Sequence, residues 1–308
     1  MDNEKHSVSV DNLVKVYGQK KDVVKALQGI SFEVGKGEIF GIIGPDGAGK
    51  TSLFRVLTTL LLPDGGRVTV DGFDVVKDYK EIRNRVGYMP GRFSLYQDLT
   101  VEENLTFFAT IFKTSIHENY DLIKDIYSQI EPFKDRRAGK LSGGMKQKLA
   151  LSCALIHRPS VLFLDEPTTG VDAVSRKEFW EMLKRLKAQN ITILVSTSYM
   201  DEASLCDRVA LVQSGNILSV NTPRGTINEF KKPIMAARAA NMLHLLNDLN
   251  AYEKTEEAYP FGEYHHAVMK ENFNEEALRN YLLRENEKLE LKRAEPDIED
   301  CFMDLMKN

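Results

Sequence analysis

Apolar residues along the chain follow two spacings, which predict alternating strands and helices. Continuous apolar runs at EIFGII (38–43), VLFL (161–164) and ITILVST (191–197) are typical of strands covered on both faces. The segments beginning with TSLFRVLTTLLL (51–62) and MKQKLALSCALIH (145–157) instead have the spacing of amphipathic helices, the second ending before Pro159. Strands that alternate with helices predict an α/β domain.

An insert between residues 97 and 140 separates two of these strands. Thr100 and Glu103 form a T-x-x-E capping box, which predicts the start of a helix. The apolar stripe that follows is expected to lie mostly in the core; it consists of Leu105, Phe107, Phe108, Ile111 and Phe112. The insert and the helix after it predict a helical subdomain over residues 97–158.

The pattern changes after residue 230, where a second domain is expected over residues 231–308. Its strand and helix signals follow the order βαββαβ of a small α+β, ferredoxin-like domain. Asn274 is the expected cap of its second helix, and a last helix is expected near Asp297–Met306. His265 and His266 are adjacent on a strand, so they face opposite ways, which argues against a shared metal.

Composition excludes several classes of protein. The 308 residues are 43% hydrophobic and 28% charged, as in ordinary globular proteins, and the net charge of −4 argues against general binding to nucleic acid. No apolar run approaches the ~20 residues that span a bilayer, and the first residues lack the features of a signal peptide. Cys153, Cys206 and Cys301 lack metal-ligand spacing, so buried, reduced thiols are expected.

The sequence GPDGAGKT (44–51) stands between a predicted strand and a predicted helix, as a phosphate-binding loop requires. Glycines let backbone amides approach phosphate oxygens, and the helix N-terminus favours negative charge. Lys50 is expected to reach the β- and γ-phosphates of ATP, and the Thr51 hydroxyl to bind Mg²⁺. The residues expected to contact the nucleotide here are Gly44, Asp46, Gly47, Ala48, Gly49, Lys50, Thr51 and Ser52.

Two further motifs follow in order, LSGGMKQ (141–147) and VLFLDEPTTGVD (161–172). With these three elements, the segment from about Asn12 to about Pro223 resembles the ATP-binding subunit of an ATP-binding-cassette (ABC) transporter. The phrases YMDEA (199–203) and EPDIEDCFMDL (295–305) are similar to the branch that exports drugs and antibiotics. The resemblance implies a P-loop ABC ATPase domain with a mixed sheet and a helical subdomain.

The resemblance also implies roles for single residues. Asp165 would hold magnesium and Glu166 would polarise the attacking water as general base, at the end of a parallel strand. Tyr17 occupies the position of the aromatic residue on which adenine stacks, although it could simply be a strand residue. Ser142, Gly143 and Gly144 would contact the ATP of a second ATPase subunit, and Asp172 would communicate across that dimer.

Partners follow from the same resemblance. The helical subdomain, with the loop at residues 87–96, would dock an integral membrane permease, and Phe93, Leu95 and Tyr96 are the expected contacts. The chain would then be cytoplasmic and peripheral on the inner face of the cell membrane. No nucleic-acid partner is expected, and the second ATPase subunit could be an identical or a related chain.

Two positions depart from the family pattern. GYMP (87–90) is followed by Gly91 where the family has glutamine, and the strand at 191–197 is followed by Ser198 where the family has histidine. Gln97 could replace the glutamine only if its loop folded back. ATP binding should survive both changes, but hydrolysis should be slow, because losing a transition-state hydrogen bond costs ~10²–10³ in rate. Gly91 could alternatively add only hinge freedom.

Two alternatives therefore stay open. The chain could be a catalytically degenerate, nucleotide-sensing subunit of an asymmetric transporter. It could also be a soluble ABC protein that acts on ribosomes or DNA, although such proteins usually carry two cassettes or a long coiled coil.

Overall fold

The computed structural model describes residues 6–18 and 22–307, which divide into two compact units. The first unit ends at Pro223, and residues 224–307 form the second. We predicted a boundary at residue 230, but the structure places it seven residues earlier, after Pro223. Helix α7 (Pro223–Glu229) therefore belongs to the second unit, except for its first residue.

The first unit alternates strands and helices, as the apolar pattern predicts. Its strands are β1 (His6–Tyr17), β2 (Val24–Gly35), β3 (Ile39–Ile43), β4 (Gly65–Val70), β5 (Phe73–Asp74), β6 (Val86–Met89), β7 (Val161–Asp165), β8 (Thr192–Thr197), β9 (Arg208–Gln213) and β10 (Asn216–Asn221). Its helices are α1 (Lys50–Leu57), α2 (Tyr79–Arg85), α3 (Val101–Ile111), α4 (Tyr120–Tyr127), α5 (Gly143–Leu155) and α6 (Ala173–Ala188).

Two sheets organise these strands. An antiparallel sheet has the order β2-β1-β4-β5, and a six-stranded sheet has the order β10-β9-β3-β8-β7-β6. In the six-stranded sheet only the pairing of β9 with β10 is antiparallel, so this sheet is mixed, as expected. Because β3, β6, β7 and β8 are parallel, their carboxyl ends meet at one edge, where such sheets bind ligands.

Helix α1 is shorter than the apolar pattern predicts. It ends at Leu57, with Thr58 as its C-cap, whereas the pattern extends to residue 62. Thr59 has a left-handed backbone (φ +60), which stops the helix, and Leu62 is 65% exposed. The run of leucines after the helix is therefore a surface turn.

The helical subdomain contains α3, α4 and α5. The capping box is present, since the Thr100 side chain accepts from the Glu103 amide and Glu103 accepts from the Thr100 amide. The expectation that the apolar stripe lies mostly in the core is only partly met. Leu105 is fully buried, but Phe107 is 37% and Ile111 is 55% exposed, so this helix has an apolar surface.

The second unit has the element order that the sequence predicts. Its elements after α7 are β11 (Ile234–Arg238), α8 (Met242–Ala251), β12 (Thr255–Phe261), β13 (Tyr264–Met269), α9 (Glu275–Leu282), β14 (Glu290–Ala294) and α10 (Ile298–Leu305). The sheet order is β12-β13-β11-β14, with every neighbouring pair antiparallel. The ferredoxin-like classification of this unit stays a prediction.

Both faces of that sheet are covered, and the adjacent histidines reach opposite sides of it. His265 Nε2 lies 2.7 Å from the Met242 carbonyl oxygen of α8, and His266 Nδ1 lies 2.8 Å from Asp300 Oδ1 of α10. The Tyr259 hydroxyl donates to the same Asp300 oxygen at 2.6 Å. His266 and Tyr259 therefore fasten α10 to the sheet.

No helix within residues 6–18 and 22–307 is long and apolar enough to cross a membrane.

His157, which follows α5, joins the helical subdomain to β6 as a neutral imidazole. Its ring stacks on Phe112 with 3.7 Å between centroids, and Nε2 lies 3.1 Å from the Val86 carbonyl oxygen. A carbonyl only accepts, so Nε2 carries the proton, and buried Nδ1 has no partner among the described residues. Burial lowers the pKa of His157 to about 4, although the hydrogen bond to Val86 opposes this shift.

We expect this histidine to make the first unit less stable in mild acid. Between its folded pKa of about 4 and its ordinary value of 6.5, the unfolded chain binds a proton that the folded chain does not. Stability is therefore lost as the pH falls through this window, by roughly 3 kcal/mol at 1.36 kcal/mol per pKa unit. His157→Gln keeps a donor for Val86 and cannot titrate, so it should lack this loss.

Urea unfolding at pH 7.5 and pH 4, followed by the fluorescence of Trp180, the single tryptophan, measures the difference. Equal pH dependence in the wild-type chain and the glutamine variant would contradict the assignment.

Candidate functional site

The phosphate loop connects β3 to α1 with the geometry that its glycines require. Gly49, the residue before the helix, has a left-handed backbone (φ +103). A Cβ atom at this position would also collide with the Ala26 carbonyl oxygen. Only glycine satisfies both conditions without strain, so the backbone can turn directly into α1.

Lys50 is the buried cation of this loop. The residue is 4% exposed, and its Nζ donates to the carbonyl oxygens of Gly44 at 2.8 Å and Pro45 at 3.0 Å. The same atom lies 3.0 Å from Glu166 Oε1. Lys50 thus connects the phosphate loop to the end of β7 and supplies the charge that a phosphate needs.

A cleft of about 780 Å³ opens beside this lysine. The phosphate loop lines one side through Gly47, Ala48, Gly49, Lys50, Thr51 and Ser52, and other lining residues include Val23, Val24, Gln28, Glu166 and Ser214. Tyr17 lies next to the cleft, because its hydroxyl donates to Ser52 Oγ at 3.1 Å and 37% of the residue is exposed. Asp46 is exposed on the outside of the loop.

The end of β7 holds two carboxylates in different surroundings. Asp165 is 3% exposed, and its Oδ1 accepts a hydrogen bond from Ser196 Oγ at 2.6 Å. Glu166 is partly exposed and has a left-handed backbone (φ +48). Its amide lies 3.0 Å from both the Ser196 carbonyl oxygen and Ser196 Oγ. Sequence reasoning missed Ser196, whose only signal is a polar residue inside an apolar strand.

Tyr88 of β6 lies close to this pair of carboxylates. Burial, and then the negative charge of Asp165, raise the pKa of Tyr88 to about 12, although a hydrogen bond with Arg55 opposes the shift. The phenol therefore stays neutral at physiological pH.

A second group of predicted site residues stands apart from the cleft. Ser142 caps α5 by accepting from the Met145 amide at 3.4 Å. Asp172 caps α6 by accepting from the Ser175 and Val174 amides, and the Ser175 hydrogen bonds above all hold the pKa of this carboxyl below its usual value. Both residues are exposed, and neither they nor Gly143 and Gly144 line the cleft of Lys50 in the part of the chain described.

Of the two divergent positions, Gly91 lies beside the carboxylates. A Cβ atom at Gly91 would stand 3.0 Å from the Asp165 carbonyl oxygen and 3.7 Å from Glu166 Cβ. A small cavity of about 170 Å³, lined in part by Gly91, Lys146 and Glu166, occupies the space beside it. Ser198, directly after β8, is partly exposed.

Gln97 does not take the place of the expected glutamine. Its carbonyl oxygen accepts from the Gly139 amide at 2.9 Å, and the residue is exposed. The loop therefore does not fold back toward Asp165.

An apolar groove of about 680 Å³ lies between β6, α3 and α5, and Leu60, Leu95, Phe108, Ile111 and Phe112 are among its lining residues. Of the three predicted docking residues, Leu95 is buried in this groove at 8% exposure. Tyr96 is 51% exposed and packs edge-to-face against Phe107, with ring centroids 4.8 Å apart. Phe93 is partly buried, with Lys146 Nζ 5.5 Å from its ring centroid.

Comparison with known proteins identifies the family. The family described as ABC transporter matches residues 27–169. The ABC transporter ATP-binding protein NatA of Bacillus subtilis is 39% identical over 215 residues, which are 68% of this chain and 87% of that protein. The chain belongs to the ATP-binding subunits of ABC transporters. This is a family of ATPases, and the P-loop ABC ATPase fold expected from the sequence is confirmed.

Other relatives of this ABC subunit have names that refer to multidrug transport or to drug resistance. A probable multidrug ABC transporter ATP-binding protein of Escherichia coli, YbhF, is 46% identical over 190 residues, which are 61% of this chain. The matched region spans only 33% of that protein. The daunorubicin resistance ATP-binding protein DrrA2 of Streptomyces coeruleorubidus is 38% identical over 235 residues, covering 72% of this chain and 69% of that protein.

Solved structures of ABC cassettes share the fold of this ABC subunit. CbiO1 of Clostridium perfringens, part of the ABC transporter complex cbiONQ, has a TM-score of 0.64 at 27% identity, covering 73% of this chain and 92% of that one. The dimeric cassette MJ0796 bound to ADP and Pi has a TM-score of 0.63 at 25% identity, covering 70% of this chain and 98% of that one.

Proposed function

We propose that this chain binds MgATP and hydrolyses it slowly in a head-to-tail dimer, to drive an export permease. The observation that carries the proposal is the contact of Lys50 with both the phosphate loop and Glu166, at the sheet edge where Asp165 is buried. One cation and two carboxylates thereby surround the place where a γ-phosphate would lie. Cation and carboxylates are the groups that phosphoryl transfer needs.

Each residue has a distinct role in this proposal. Lys50 binds the β- and γ-phosphates and neutralises part of their charge. Glu166, which is more exposed than Asp165 and reaches the cleft, takes a proton from the attacking water. Tyr17, beside Ser52 at the cleft, stacks on the adenine ring.

The oxygen donors at this edge suit magnesium. The Thr51 hydroxyl and the Asp165 carboxylate are hard ligands of the kind Mg²⁺ prefers, and Thr51 lines the cleft. Magnesium, when bound, would neutralise charge on the phosphate oxygens. Thr51 and Asp165 are the residues that would hold it.

A dimer completes the site in this proposal. Ser142, Gly143, Gly144 and Asp172 lie at two exposed helix N-termini, away from the chain's own cleft. Such termini favour anions, so they suit the phosphates bound by a second subunit. The solved cassette MJ0796, which is similar to this chain, is described as dimeric.

The apolar groove is the proposed docking place of a membrane permease. It combines buried Leu95 with partly exposed aromatic and aliphatic residues, and Tyr96 and Phe107 continue the apolar surface beside it. An amphipathic helix of a partner would bury its apolar face there. The relatives from Escherichia coli and Streptomyces are named for a multidrug ABC transporter and for daunorubicin resistance, which supports a permease that exports drugs. Such a permease would place the chain on the cytoplasmic face of the membrane.

A catalytically degenerate, nucleotide-sensing subunit is the second candidate function. Gly91 and Ser198 favour it, because they replace the glutamine and the histidine of the family pattern. The two candidates share ATP binding and differ in turnover. Phosphate release by the homodimer distinguishes them.

ATP binding, which both candidate functions share, can be tested by calorimetry with MgATP. Lys50→Ala should weaken ATP binding about 10- to 100-fold, because charge-assisted hydrogen bonds contribute roughly 1.5–3 kcal/mol. Lys184→Ala is the matched control, since Lys184 pairs with Glu181 on the exposed face of α6. No heat of binding with the wild-type chain would refute the proposal, and equal affinities of the two variants would refute the role of Lys50.

A further inference from the structure

We propose that Ser196 is a positioning residue, whose hydroxyl holds Asp165 and the backbone of Glu166 in the arrangement that binds the metal of MgATP. This inference rests on the proposed function, because it assigns Asp165 to the magnesium of MgATP. It adds a residue that no motif of the sequence contains.

The sheet brings Ser196 directly to Asp165. Strands β7 and β8 are parallel, and Asp165 stands opposite Ser196 in their register. Ser196 is fully buried and Asp165 is 3% exposed, so water does not compete for the 2.6 Å contact between Ser196 Oγ and Asp165 Oδ1. A charge-assisted hydrogen bond in such surroundings is strong and directional.

The direction of each hydrogen bond follows from the groups involved. The Glu166 amide, 3.0 Å from Ser196 Oγ, can only donate, so the hydroxyl accepts there. The single proton of the hydroxyl is then free for the Asp165 carboxylate, which accepts. One hydroxyl therefore connects the metal-binding carboxylate to the backbone of the general base.

The backbone of Glu166 needs this support. A left-handed backbone (φ +48) is strained for a residue with a side chain. The Ser196 hydroxyl and carbonyl oxygen both accept from the Glu166 amide, which keeps the turn in place. That turn directs Glu166 Oε1 to Lys50 at 3.0 Å.

Without the hydroxyl, buried Asp165 would lose the donor on Oδ1 and could rotate. The rotated carboxylate would no longer be held in position to bind magnesium. Removing a partner that orients a metal ligand commonly costs 10–100-fold in metal affinity.

The test measures two quantities: the affinity for ATP without metal, and the factor by which metal raises that affinity. The second quantity is the metal-dependent gain. ATP binding is measured by calorimetry in EDTA and in Mn²⁺, which substitutes for Mg²⁺ and also reports its own binding by electron paramagnetic resonance. Ser196→Ala should lower the metal-dependent gain at least tenfold and leave the affinity in EDTA unchanged. Ser196→Thr keeps the hydroxyl and should restore the wild-type gain.

Thr192→Val is the matched control at the other end of β8. The Thr192 hydroxyl contacts Ser7 Oγ at 2.7 Å and accepts from the Gly37 amide at 2.9 Å, so its loss also removes buried hydrogen bonds. This variant should lose thermal stability and keep the wild-type metal-dependent gain.

An alanine variant that is less stable but has an unchanged metal-dependent gain overturns the positioning role. A wild-type chain that binds no ATP in either solution overturns the proposed function as well, so the two failures are distinguishable. Because the readout is binding, a slow or absent turnover does not affect the test.

Discussion

Glu166→Gln is expected to lower the rate of ATP hydrolysis by about 10²–10⁴-fold, the usual contribution of a general base. The amide has nearly the same shape as the carboxylate but cannot take a proton from water. ATP binding should persist, because the amide oxygen of glutamine can still accept from Lys50, which also keeps its hydrogen bonds to the phosphate loop. Phosphate release and calorimetry on the same preparation measure the two quantities.

Glu178→Gln is the matched control for this substitution. Glu178 lies on α6 and pairs with Lys148 at 3.1 Å, away from the cleft. It should leave both binding and hydrolysis unchanged. If Glu166→Gln hydrolyses ATP at the wild-type rate, another group is the base and the assignment of Glu166 is wrong.

Restoring the two missing family residues is expected to raise the rate of ATP hydrolysis. Gly91→Gln combined with Ser198→His should raise the hydrolysis rate about 10²-fold or more, because a transition-state hydrogen bond contributes ~10²–10³ in rate. The cavity of about 170 Å³ beside Gly91 and Glu166 gives the glutamine side chain room. Its Cβ atom, 3.0 Å from the Asp165 carbonyl oxygen, requires a shift of a few tenths of an ångström.

The single variants should each give less than the combination, since groups of one catalytic unit do not act additively. In a Glu166→Gln background the restored residues should not raise the rate, which shows that the gain uses the same base. Gln97→Ala should leave the rate unchanged, because Gln97 lies against Gly139. An unchanged rate in the double variant would mean that Gly91 and Ser198 do not limit turnover.

The sequence by itself determined the features that depend on neighbouring residues. The helix caps that we predicted at Thr100 and Asn274 are both present, because each requires only a side chain and an amide three residues away. The phosphate loop follows from its glycines and from the strand and helix around it. The buried strands β3, β7 and β8 follow from continuous apolar runs.

The ends of helices and the exposure of their apolar side chains were harder to predict from the sequence than the caps and the buried strands. The apolar pattern extends α1 to residue 62, but the left-handed backbone at Thr59 ends the helix earlier. The stripe on α3 has the spacing of a core helix, yet Phe107 and Ile111 are at the surface. Periodicity identifies an apolar face, but only packing decides whether another part of the chain covers it.

Only the tertiary structure decided which distant residues meet. Ser196 is 31 residues from Asp165 and 30 from Glu166, and the register of β7 with β8 places it against both. The same holds for Lys50 and Glu166, which lie on different elements and meet at 3.0 Å. Local chemistry is encoded in short stretches of sequence, whereas these contacts depend on strand order and register across the whole sheet.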